Sequence, residues 1–169
     1  MQRVIPDPGF ADDDGSADPR VAAALAAYGS GAPGTRTPAL AALQDARVLV
    51  PVVAVLGEVE LDENGLAHDK TSDMATVLMT AGDGRRALLC FTSTAALTAW
   101  NPEARPVAVS TRKAALSALQ DGADALLVDV AGPVQLAVEG EELNALAEDL
   151  LLVRVGEGWG WARVEPGSM

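Results

Sequence analysis

The stretch Arg85–Lys113, RRALLCFTSTAALTAWNPEARPVAVSTRK, decides the fold. Its apolar run from Arg85 to Thr92 reads as a buried strand. Ser93 to Trp100 follows as a short helix, capped by Thr92 or Ser93 and stopped by Asn101-Pro102, because the residue before a proline avoids the helical region. Pro106 to Val109 is a second strand, and Ser110 or Thr111 caps another helix that runs through Leu119, with Leu116 and Leu119 expected to face inward. Strand, helix, strand, helix is the grammar of a sheet with helices packed against it.

Toward the amino terminus, Gly82-Asp83-Gly84 is a short turn between two apolar runs, which predicts a hairpin with a strand over Asp73–Ala81. Arg47–Leu56, RVLVPVVAVL, is dense in valine without polar alternation, the pattern of a strand covered on both faces. Pro51 cannot donate to a ladder, so the strand must bulge there or leave one side unpaired. Gly57–Asp69 is polar, carries the turn signal Asn64-Gly65, and reads as a surface loop or weak ribbon. Before it come a helix from Thr37-Pro38 to about Ala46 and an alanine-rich helix started by Asp18-Pro19 and ended at Gly29. Val21, Leu25 and Tyr28 form the inner stripe of that alanine-rich helix. Residues 1–36 are expected to be a flexible acidic segment holding that one short helix, and residues 37–165 a single domain.

Toward the carboxyl terminus, Ala125–Val130 is a buried strand that Gly132-Pro133 turns into Val134–Val138. Glu139–Asp149 is a helix with acids in its first turn, where the helix dipole favours them. The end reads as a compact β segment, Leu151–Val155, then Gly156-Glu157-Gly158, then Trp159–Val164. Two hairpins and two strand-to-helix passages predict an α/β fold of the mixed α+β kind, with a mixed parallel and antiparallel sheet.

The chain has 169 residues, 12 Lys and Arg against 24 Asp and Glu, and a formal net charge of −12. An average surface this acidic repels nucleic acid and anionic membrane, so neither is an expected partner. No apolar run is long enough to span a bilayer and no signal peptide opens the chain, so a cytoplasmic location is expected. The single cysteine, Cys90, rules out an intrachain disulfide.

Each chemical candidate has a plainer explanation beside it. Cys90 sits between Leu89 and Phe91 in a buried strand and reads as an inert core residue, because a reactive thiol needs exposure and a basic partner. The single histidine, His68, with Asp69 and Asp73 nearby, is a poor zinc set. The helix starts at Ser93-Thr94 and Ser110-Thr111, the second followed by Arg112 and Lys113, could hold an anion through exposed amides. Capping alone also explains those hydroxyls. Trp100 to Pro106 is the richest loop, and Trp and Arg are frequent interface anchors. No glycine-rich phosphate cradle, nucleophile elbow or zinc-protease motif is present.

The series KTSDMATV (70–77), GRRALLCFTSTAALTAW (84–100), ARPVAVSTRKAAL (104–116) and DGADALLVDVAGPVQLAVEG (121–140) resembles the amino-terminal domain of the SseB family, in an actinobacterial style. The resemblance covers about residues 37–155. It implies an SseB-like α/β domain, in a family named for a link to serine sensitivity and without an established activity. It carries no catalytic, cofactor or metal residues over to this chain. Family members often have a second proline after Arg105-Pro106, where this chain has Ala108.

The expectation is therefore a non-catalytic regulatory or interaction domain, without a cofactor, that meets a cytosolic protein partner through Lys70, Asp73, Trp100 and Arg105. The alternative is a small-anion or metabolite-binding protein, an enzyme included, that uses Ser93, Thr94, Ser110, Thr111 and Arg112. Exposed hairpins and strand edges permit a homodimer without requiring one.

Overall fold

The computed structural model describes residues 10, 12–56, 60–61, 67–68 and 72–163, with side chains described outside 54–75. Expectations for residues 1–9, for the Asn64-Gly65 turn and for Val164 lie outside the described residues. α1 (Pro19–Gly29) starts where the Asp18 carboxylate accepts the Arg20 amide. α2 (Arg36–Gln44) follows and leads into β1 (Arg47–Leu56). The polar stretch beyond β1 contains a minimal ribbon, β2 (Glu60–Leu61) paired with β3 (Ala67–His68).

The strand expected over Asp73–Ala81 divides in two. β4 (Ser72–Thr76) pairs with β1, and β5 (Leu78–Thr80) pairs with β6 (Arg86–Cys90). Val77 is the corner, where its carbonyl accepts the Leu89 amide at 3.2 Å. The reason is non-local. Among the described residues, β1 is bridged to the residue just after β6 at one antiparallel pair, where Leu49 and Phe91 exchange backbone bonds of 2.7 and 2.8 Å, and the two strands then diverge. β4 and β5 fill the fork between them.

Beyond Phe91 come α3 (Thr94–Trp100), β7 (Arg105–Ser110), α4 (Thr111–Gln120), β8 (Ala125–Val128) and β9 (Leu136–Glu139). β7 lies antiparallel to β1, β8 parallel to β6, and β9 antiparallel to β8. The sheet is mixed, and its order through the Leu49–Phe91 bridge is β7-β1-β6-β8-β9. Pro51 stands opposite Pro106. Leu49 spends its backbone groups on Phe91, so by alternation Pro51 also points away from β7, into the fork. No donor is lost from the ladder, and the unpaired side expected of Pro51 is this one.

α5 (Glu141–Ala147) and the hairpin β10 (Leu150–Val155) with β11 (Gly158–Arg163) complete the chain. Alternate residues of the strands feed two cores. Val48, Val50, Leu88, Cys90, Leu126 and Val128 meet the helices α1, α2, α4 and α5 on one face. Leu49, Leu89, Phe91 and Leu127 meet α3 on the other. Val21 and Leu25 of α1 belong to the larger core. β1 is thus covered on both faces, as its valine density requires.

One expectation fails in phase. α4 buries Thr111, Ala114, Ala115 and Ala118, whereas Leu116 is 43% and Leu119 37% exposed. Alanines let the helix lie close to the sheet and to α5, and this proximity outweighs the burial of two leucines. Among the described residues, no helix is long and apolar enough to cross a membrane.

Candidate functional site

Because β1 is antiparallel to both β6 and β7, the strands β6, β7 and β8 all end at one edge of the sheet. From that edge α3 turns onto one face and α4 onto the other. A divergence of this kind opens a crevice at the carboxyl ends of the strands, where α/β sheets bind their ligands. Arg47, the first residue of β1, stands in it.

The Arg47 side chain is only 10% exposed, and its guanidinium makes four hydrogen bonds. Nε and Nη2 take the two oxygens of Asp13 in a bidentate pair, Nη2 also donates to the Ser16 carbonyl at 2.7 Å, and Nη1 donates to the Thr92 carbonyl. The Arg47 hydrogen bond holds the Asp13 carboxyl below the ordinary aspartate value against a smaller opposing effect of burial. Asp13 thereby ties the segment 12–18 across the crevice. A second tie is made by the Thr94 amide, which donates to the Gly15 carbonyl at 2.7 Å.

Deeper in the same edge, Asp129 follows β8 at a φ of 54° and is 2% exposed. Its carboxylate accepts the Thr92 amide at 2.8 Å and the Thr92 hydroxyl at 2.7 Å, while its own amide donates to the Cys90 carbonyl. Burial pushes the Asp129 carboxyl above its ordinary value, and the two Thr92 bonds oppose that shift. Burial, with Asp129 nearby, pushes the Cys90 thiol well up.

The anion candidates lie at this edge but are engaged by the chain itself. Ser93 Oγ accepts the Ala96 amide, and Ser110 Oγ accepts the Lys113 amide. Thr111 is fully buried and gives its amide and its hydroxyl to the Ala46 carbonyl. Arg112 donates to the Leu150 carbonyl and to Gln44 Oε1, and so holds the terminal hairpin. Ser93-Thr94 and Ser110-Thr111 serve helices on opposite faces.

Of the interaction candidates, Trp100 and Arg105 are described with their side chains. Trp100 caps the smaller core, its ring centroid 5.6 Å from that of Phe91, and Arg105 is exposed at the start of β7. Lys70 lies outside the described residues, and Asp73 is placed on β4 opposite Val55 with its side chain outside the description. Arg47, Asp13 and Asp129 do not stand out as site residues in the sequence. A lone Arg opening a valine run and an Asp interrupting the run ALLVDV are the available signals; Asp13, one of three consecutive acids, offers none.

The chain matches the family model described as SseB protein N-terminal domain over residues 21–145. The chain belongs to the SseB family. No curated protein and no solved structure matches it. The match begins within α1, whose Val21 and Leu25 lie in the larger core.

The SseB domain has a second exposed feature, on the α3 face. Met79, Ala87 and Ala125 form a row across β5, β6 and β8, and Leu127 and Ala137 form the next. Among the described elements only the seven-residue α3 lies on this face, at the Phe91 end. The alanine rows are left as the floor of a cavity of about 250 Å³, with Arg85, Asp124 and Glu139 on its rim and Met79 37% exposed.

Proposed function

We propose that this SseB domain is a non-catalytic regulatory domain that binds a protein partner on the open α3 face of its sheet. The observation that carries the reading is the bare row Met79–Ala87–Ala125. A parallel strand pair such as β6–β8 is ordinarily covered on both sides, and here half of one side has no cover among the described residues. The floor is apolar and the rim is charged, the anatomy of an interface core with its polar border. Arg85 on that rim is shared between Asp83 and Glu139 at 2.8 and 3.2 Å, so the rim carries both signs of charge. The occupant is a protein segment bearing apolar side chains short enough to rest on alanine.

A photo-crosslinking residue placed at Met79 tests this in the native host. The expected result is one defined protein adduct, absent when the same residue is placed at Leu116 on the opposite side of the sheet, and lost when Ala125→Glu is added to the Met79 probe. Equal adducts from both positions, or no adduct from Met79, would remove the assignment. A covalent dimer of the chain would replace the foreign partner by a second copy.

A further inference from the structure

We propose that Arg47 is the anchor of a binding site for a small organic carboxylate, and that Asp13 of the same chain occupies it as an internal competitor. Three of the four Arg47 hydrogen bonds go to the segment 12–18, two to the Asp13 carboxylate and one to the Ser16 carbonyl. The Arg47 side chain is 10% exposed with the segment seated, and of its four hydrogen bonds only the one to the Thr92 carbonyl lies outside that segment. The fork of Arg47 is already set in the planar, two-pronged geometry that recognises a carboxylate.

The space for a ligand is present on both sides of the segment. One open cleft of about 470 Å³ is lined by Asp13, Ser16, Asp45 and Arg47. Another of about 320 Å³ is lined by Asp13, Gly15, Leu49, Thr94 and Ala108. Asp13 borders both, so the segment is the wall between them, and each cleft is within the size range of small-molecule sites. The location is the carboxyl edge of the sheet, where the helices diverge.

The segment is seated by a conformation that a single methyl group would disturb. Gly15 has a φ of +83°, and a Cβ there would stand 2.2 Å from Thr94 Oγ1 and 3.2 Å from Thr94 Cβ. Its carbonyl is the acceptor of the Thr94 amide. Gly15→Ala therefore weakens the seating of the segment while leaving Arg47 and Asp13 unchanged, and Asp13→Ala empties the fork while leaving the backbone able to dock.

Succinate is titrated into the full chain, with sodium chloride at matched ionic strength as the control, and binding is followed through the Thr94 and Ser16 amide resonances. Asp13→Ala and Gly15→Ala are expected to bind succinate saturably, and at least about tenfold more tightly than the parent chain, whose competent state is scarce while Asp13 is seated. Arg47→Met in the Asp13→Ala background is expected to abolish that binding. The proposal is overturned if neither variant binds succinate beyond the chloride control, if the parent binds as tightly as the variants, or if the Arg47→Met double variant still binds. Should one single variant not fold, the other decides by itself.

Discussion

Thr92 delivers both its amide and its hydroxyl to the carboxylate of Asp129, at 2.8 and 2.7 Å, inside a region that is 2% exposed at Asp129. Asp129→Ala leaves two buried donors without an acceptor, at a cost of about 3 kcal/mol. Asp129→Asn retains one acceptor, tolerates the positive φ, and lets the Thr92 hydroxyl turn to accept, so about 1 kcal/mol is expected. Urea unfolding of the two variants checks the order. If the Asn variant is as unstable as the Ala variant, the bonds to Thr92 are not what Asp129 contributes.

Asp129 and Asp13 push the pH dependence of stability in opposite directions. Burial raises the Asp129 carboxyl, so the native state takes up that proton before the unfolded chain does. Its contribution is greatest below the ordinary aspartate value, about 3.9, and is lost as pH rises through the higher native value. Arg47 lowers Asp13, whose contribution is complete above the ordinary value and lost as pH falls through the lower native one. Melting temperatures from pH 7 to pH 3 should therefore fall more steeply in Asp129→Asn than in the parent, and less steeply in Asp13→Asn. Parallel curves for all three would contradict both assignments.

Cys90 should be silent to thiol reagents while the chain is folded. It is fully buried in the larger core, and burial, reinforced by Asp129, holds its thiol protonated. Labelling by a disulfide reagent at neutral pH is expected only at the rate of unfolding, and to accelerate with urea in step with loss of structure. Rapid labelling in native buffer would mean that β6 opens locally.

Leu116 and Leu119 show what the sequence could not convey. In an alanine-rich helix the apolar contrast between faces is small, so periodicity points to the bulkiest residues, whereas close approach to the sheet selects the smallest. Leu116→Ala should change stability by less than about 0.5 kcal/mol, as at an ordinary surface site. Ala115→Leu overfills a closed contact and should cost about 2 kcal/mol. Thermal melts of the pair decide the phase, and the reverse order would restore the inward leucines. β1 was legible to its residue bounds because a valine run between Ala46 and Gly57 has local limits. The corner at Val77 was not, since it follows from β1 and β6 diverging after a single bridge. Helix caps at Ser93 and Ser110 were legible from residue type. That Arg47 would hold Asp13, 34 residues earlier, depends on topology alone.

Gln44 holds the terminal hairpin as a strand residue would. Its side-chain amide donates to the Leu152 carbonyl and accepts the Leu152 amide, both at 2.8 Å, and Arg112 adds a bond to the Leu150 carbonyl and one to Gln44 itself. Gln44→Leu keeps volume but strands a buried amide and carbonyl of β10, at a cost of about 2 kcal/mol. Gln44→Glu keeps the acceptor, loses the donor and places a carboxylate beside Arg112, so it should cost less than Gln44→Leu at neutral pH. Amide exchange should localise the damage in both: β10 and β11 lose protection, while β6 and β8 retain it. Arg112→Ala should loosen the same hairpin, because its guanidinium is bound to that hairpin's backbone and not to the crevice. If exchange in Arg112→Ala rises at Thr94 and Ser16 in place of Leu150 and Leu152, Arg112 belongs to the crevice after all.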